Sequence, residues 1–122
     1  MTFKIKEWET IKAGNRQGFD SIKININSVS FSTMFVKNNK LLDFSFCKIL
    51  YKDKKVGFLF LKERKPFCYK LNNKAVSFFT ILAHKLKQKT DIINGYYPYK
   101  KLDFEGMPLF IIDQKEKKDY GE

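Results

Sequence analysis

The hydrophobic pattern along this chain is mostly of period two. Residues 21–26, SIKINI, alternate strictly, with Ile22, Ile24 and Ile26 on one face and Lys23 and Asn25 on the other. Such alternation predicts a half-buried strand. The clearest element is residues 46–61, FCKILYKDKKVGFLFL, in which two apolar arms flank the charged tip Lys52-Asp53-Lys54-Lys55. It predicts a β-hairpin. The first arm sets Phe46, Lys48 and Leu50 against Cys47, Ile49 and Tyr51. The second, VGFLFL, is apolar on both faces, as expected of a strand inside a sheet and covered on both sides. Residues 67–71 and 109–112 predict further strands, with Pro108 confining the last to an edge or a first position. Residues 1–19 open with alternating Phe3 and Ile5, with Trp8 a further candidate for that face, and break at the loop sequence AGNRQG.

Helical spacing occurs twice. Phe31, Met34 and Phe35 lie at i, i+3, i+4 within residues 29–38, with Ser30 or Ser32 as N-cap. Residues 75–87 carry a wide apolar stripe through Phe78, Phe79, Leu82 and Leu86. Lys85, Lys87 and Lys89 follow at its C-terminal end, where the helix dipole favours cations.

The pattern therefore predicts an α+β fold. A single domain, residues 1–114, holds a mostly antiparallel sheet of about six to seven strands with two helices packed on it. A charged tail, residues 115–122, follows. An internal echo links SVSFST (28–33) to AVSFFT (75–80), offset by 47 residues (78 − 31). Each copy opens a predicted helix and is followed by a hairpin-like segment. This predicts a pseudo-duplication, with a tandem pair in place of a homodimer. A homodimer of the whole chain is the alternative assembly.

Composition narrows the class. The chain has 122 residues, 43% of them hydrophobic and 13 of them Phe, enough for a core without disulfides or metal. The net charge is +11, from 24 Lys and Arg against 13 Asp and Glu. That surplus favours polyanionic partners. Only Arg16 and Arg64 are arginine, and lysine suits phosphate better than bidentate base reading. The wealth of Lys, Asn, Ile, Phe and Tyr also fits an AT-rich genome, so composition alone is a rival account of the charge. Cys47 and Cys68 form no CxxC pair, and His84 is the one histidine. A zinc set and a His-based triad are excluded. Walker, GxGxxG, GxSxG and HExxH motifs are absent. No catalytic residue and no cofactor is expected. No apolar run reaches membrane-span length and the N-terminus lacks a signal-peptide core. The expectation is a cytoplasmic protein with reduced thiols and no membrane partner.

Two segments, FCYK (67–70) and YYPYKK (96–101), interleave rings with ammonium groups. Single-stranded nucleic acid is held this way, each stacked base contributing ~1–3 kcal/mol. The candidate phosphate contacts are Lys52, Lys54, Lys55, Lys62, Arg64 and Lys65. The candidate stacking residues are Tyr69, Tyr97 and Tyr99, although tyrosine is also a favoured strand residue. The expected function is non-enzymatic binding of nucleic acid, single-stranded DNA with low sequence selectivity. The alternative is a protein-binding module or inhibitor, of phage or mobile-element type, acting on an acidic or nucleic-acid-binding partner. A third reading is a metal-dependent nuclease using Asp103 and Glu105, two apart on one strand beside Lys100 and Lys101.

Residues 56–87 run strand, basic loop, strand, turn, and then a helix after KAVSFF. This order resembles the later half of single-stranded DNA-binding proteins of the positive-cofactor-four and Whirly type, whose sheets present charged and aromatic side chains to DNA. The hairpin-plus-short-helix units are similar in outline to bacterial transition-state regulators of the AbrB kind. The likeness covers a quarter to a half of the chain, and the KGKAALT-like signature of Whirly proteins is absent. It implies nucleic-acid binding and assigns no residue a role.

Overall fold

The structure, a computed structural model, describes residues 20–72 and 78–117. Within them the chain runs β1 (Ile22–Ile24), β2 (Ser28–Phe31), α1 (Thr33–Asn38), β3 (Phe46–Lys52), β4 (Lys55–Leu61), β5 (Cys68–Lys70), β6 (Phe79–Leu82), α2 (His84–Lys89), β7 (Gly95–Tyr97), β8 (Lys100–Phe104) and β9 (Met107–Asp113). All pairings between these strands are antiparallel. The strands divide into a four-stranded sheet, β6-β2-β1-β7, and a five-stranded sheet, β5-β3-β4-β9-β8. The single α+β domain with two helices stands as expected. Its strands are shared between two sheets, which meet where Phe58 and Phe60 of β4 pack on Phe31 of β2. The predicted arm at residues 1–19 lies outside the described residues.

Local chemistry explains where elements start and stop. β1 ends at Ile24 rather than Ile26. Asn25 donates from its side chain to Ser28 Oγ and Ser30 Oγ, and its N–H bonds Ser28 O at 2.9 Å. This turn throws Ile26 outward, 69% exposed. The segment 29–38 is not one helix. Val29 and Phe31 face inward from β2, and α1 begins only after Ser32, whose Oγ accepts from Phe35 N at 3.1 Å. Likewise residues 79–82 form a strand, not a helix. Phe79 and Ile81 point in while Thr80 and Leu82 point out, and the strand pairs with β2 at Phe31↔Phe79. The apolar residues there satisfy both periods, and sheet pairing decided between them. The helix shrinks to α2, with Leu86 its one buried residue.

The sheets pack inner face to inner face. Phe31 of β2 meets Phe58 and Phe60 of β4 edge-on, with ring centroids 5.5 and 5.1 Å apart. Phe35 of α1 plugs the gap against Phe31, Phe60, Tyr99 and Phe110. Edge-to-face rings at this spacing add to the stabilisation from burial. The doubly apolar arm β4 is central, flanked by β3 and β9.

The order of elements partly repeats along the chain. β2 pairs antiparallel with β6, and β4 with β9. Each is the counterpart of the other in a repeated strand, helix and hairpin order. α2 begins 51 residues after α1 (84 − 33). The echo at an offset of 47 therefore does not mark the structural register, and three of its second-copy positions, residues 75–77, are outside the described residues. Both hairpin tips have two residues in the left-handed region. These are Asp53 and Lys54 at φ 52° and 64°, and Glu105 and Gly106 at 52° and 84°. That is the conformation a two-residue hairpin turn demands. The expected tail is tied down at its start, where Gln114 N bonds Lys54 O at 3.0 Å and Gln114–Glu116 form a 3-10 turn.

Candidate polyanion-binding face

The register fixes what each side of the five-stranded sheet presents. Side chains alternate faces, so the ladder generates rows on the outer side. One row reads Lys70, Phe46, Leu61, Met107, Phe104. The next reads Cys68, Lys48, Leu59, Leu109, Leu102. Then come Leu50, Gly57, Ile111, Lys100, and finally Lys52, Lys55, Asp113. Lys48, Lys52, Lys55, Lys70 and Lys100 thus share a face with Asp113, the one carboxylate in the strand rows, and Asp53 of the hairpin tip lines the same side. Arg64, from the loop after β4, lies 5.3 Å from the Phe46 ring centroid. Phe104, Leu102 and Leu50 are 46%, 41% and 39% exposed there. The sheet is about 19 Å wide, four strand spacings. Its hairpin-tip end holds a hollow of about 520 Å³ beside Gly57, lined by Leu50, Leu109, Ile111 and by Lys52, Asp53 and Lys55 of the tip. Gly57 lets these apolar side chains close over the strand, since a Cβ there would come within 3.2 Å of Leu109 Cδ1.

The candidates named from the sequence are only partly brought together. Lys52, Lys54 and Lys55 stand at the hairpin tip, and Lys62, Arg64 and Lys65 leave the far end of β4. Six strand steps, roughly 20 Å, separate the two groups. Lys52, Lys55 and Arg64 reach the outer face. Lys62 turns the other way, its Nζ 5.5 Å from the Phe44 ring.

The tyrosines depart further from expectation. Tyr97 is fully buried on the inner face, donating its hydroxyl to Ile93 O at 2.7 Å. Tyr99 packs edge-on against Phe35 and Phe110, and Tyr69 packs against the same core. Tyr97 offers no ring face to a base, because alternation points it into the sandwich, while Tyr69 and Tyr99 are half-buried against the core. Burial raises the Tyr97 phenol and pushes that of Tyr99 up to about 12. The rings available on the face are Phe46 and Phe104. Alternation in the 46–61 arm could have nominated Phe46 and Lys48. Lys70 and Lys100 needed the ladder itself.

A second hollow, about 610 Å³, opens at the end of the four-stranded sheet, beside Asn25, Asn27 and Asn94. There Lys23 Nζ stands 5.3 Å from the Tyr96 centroid. Cations therefore stand on both sheets.

The carboxylate pair of the nuclease reading does not form. Asp103 is in β8, but Glu105 is in the turn that follows, at φ 52°. Among the described residues no three His, Cys, Asp or Glu side chains are grouped to hold a metal ion. Cys47 faces the core and Cys68 the outer side, so adjacent strands hold them apart as free thiols. Burial pushes the Cys47 thiol well above its usual range, with Cys68 adding to it. No helix among the described residues is long and apolar enough to cross a membrane. No protein-family model, curated protein or solved structure matches the chain.

Proposed function

We propose that this protein binds single-stranded nucleic acid, without catalysis, on the outer face of its five-stranded sheet. One observation supports the reading: the strand register gathers five lysines on that face, against Asp113 in the strand rows and Asp53 at the hairpin tip. Phosphates would meet Lys48, Lys52, Lys55, Lys70 and Lys100, and Arg64 beyond β4. Bases would lie on Phe104 and on the Phe46 ring, over which Arg64 already stacks. A flat face with lysines at its margin follows a flexible strand without reading base edges. The two helices have six residues each, about 9 Å of helix, too short to fill a major groove. The test is fluorescence anisotropy with labelled oligonucleotides. Wild type binds, and a Lys48→Glu/Lys100→Glu variant with an unchanged fold does not. Equal binding by that variant removes the reading.

A second reading is favoured by the floor of the same face. Leu50, Leu109, Ile111 and Leu102 make an apolar centre with a cationic rim, the anatomy of a protein interface. The occupant would then be an acidic protein surface. Purified protein would ignore oligonucleotides yet bind an acidic amphipathic peptide, and Leu50→Glu would abolish that.

A further inference from the structure

We infer that β8 is a docking edge for a second copy of this chain, through antiparallel β8–β8 pairing centred on Leu102. The inference does not rest on what the sheet face binds, although Lys100 and Phe104 belong to both.

β8 is an outer strand of the five-stranded sheet, and all five of its residues, Lys100–Phe104, are exposed. Among the described residues it pairs with β9 alone. The other edges are shorter, at three or four residues. An exposed edge presents a row of backbone donors and acceptors that another strand can complete. Lysine on an edge normally deters this, and Lys100 and Lys101 deter an arbitrary strand. Asp103 changes the outcome for one partner.

The sequence KKLDF is self-complementary in one register. With the two-fold axis at Leu102, Lys101 of each copy faces Asp103 of the other, and Lys100 faces Phe104. Two ion pairs and two ammonium–ring contacts form at once. Sliding by two residues one way sets Lys101 against Lys101. Sliding the other way sets Asp103 against Asp103. Sliding by one residue turns the partner's core face to the wrong side. The centred register is the one that keeps faces and charges matched.

The flank of β8 has room for this. A hollow of about 420 Å³ beside Lys101 and Asp103 is also lined by Asn39, Lys40 and Pro108, where the partner's Asp103 would meet two lysines. Lys101 is already directed along this side, its Nζ 5.9 Å from the Phe110 centroid. The product is one continuous ten-stranded sheet whose outer faces adjoin. Five paired residues make a small interface, and a net charge of +11 per chain opposes association. The dimer is therefore weak, micromolar to millimolar, and firmest at intermediate salt.

Sedimentation equilibrium over a concentration series tests this. Wild type self-associates to a dimer. Lys101→Asp and Asp103→Lys, each with unchanged circular dichroism, each weaken dimerisation about tenfold or more, since two favourable contacts become repulsive. The double swap restores it. A second readout is covalent: on a Cys68→Ser background, Leu102→Cys oxidises to a disulfide-linked dimer faster than Leu50→Cys on the same face. A wild type monomeric up to millimolar concentration overturns the inference. So does a double swap no better than the single reversals, or equal cross-linking at the two positions.

Discussion

Phe58 lies directly opposite Phe110 in the β4–β9 ladder, and the two are fully buried. They are also counterparts, 52 residues apart (110 − 58), the same spacing as between the two hairpin tips (105 − 53). Phe110 touches Phe35 at 4.7 Å, Tyr99 at 5.4 Å and Phe60 at 5.5 Å between centroids. Phe110→Ala removes the ring common to these contacts, and is expected to destabilise by about 3–5 kcal/mol. Urea unfolding measures it. Because the two residues are cross-strand partners within one core, Phe58→Ala and Phe110→Ala together should not sum.

Tyr99 joins segments far apart in sequence. Its hydroxyl donates to Asp20 Oδ1 at 2.7 Å and accepts from Asn39 Nδ2 at 3.0 Å. Burial is the main cause that lifts its pKa to about 12. The Asn39 hydrogen bond opposes the lift and the Asp20 carboxylate adds to it. The folded state thus holds this proton more tightly than the unfolded chain does. Its contribution is complete below the ordinary tyrosine value of 10.0 and is lost as pH rises toward about 12. Stability should fall over that interval, and Tyr99→Phe should flatten the fall while costing about 1 kcal/mol near neutrality. Denaturant midpoints across alkaline pH decide it. An identical alkaline slope in the variant would assign the loss to other groups, the buried Tyr97 first among them.

The two hairpin tips offer a matched comparison. Lys54 occupies at φ 64° the place Gly106 fills at φ 84°. A side chain in that region is disfavoured, and glycine is not. Lys54→Gly should stabilise by about 0.5–1 kcal/mol. Gly106→Ala should destabilise by a similar amount on conformational grounds alone, since an added Cβ meets nothing within 4 Å. Chemical denaturation with an unchanged m-value checks both.

How far the sequence reveals this molecule depends on which force decided each element. The 46–61 hairpin was legible because alternation, a charged two-residue turn and apolar arms all agree. Ser32 was legible as a cap because a serine three residues before Phe35 can reach its N–H. The 79–82 strand was not, because Phe79, Ile81 and Leu82 fit a helical stripe as well as a pleat, and the choice belongs to the β2 ladder. Among the candidate tyrosines, Tyr97 was misplaced because its burial is set by the sheet. YYPYKK reads as rings among lysines, but alternation sends Tyr97 inward, and the turn of chain at Pro98-Tyr99 buries the second ring against Phe35. Lys70 and Lys100 are 30 residues apart (100 − 70) and meet on one face only through three intervening strands.

Salt dependence is the sharpest probe of the proposed face. Each lysine–phosphate contact to a single strand releases counterions and contributes about 0.7 to the slope of log K against log salt. Lys48→Glu with Lys100→Glu should therefore lower that slope by at least about 1.4. Phe104→Ala should instead weaken binding by about 1–3 kcal/mol with little change in slope, because stacking releases no ions. Lys23→Glu, on the outer side of the other sheet beside Tyr96, serves as the control and should leave most of the affinity. If Lys23→Glu loses as much as the Lys48/Lys100 pair, the hollow at Tyr96 is the binding site instead. If no variant changes a salt-insensitive curve, the lysines reflect composition, and the apolar floor of the five-stranded sheet becomes the surface to pursue.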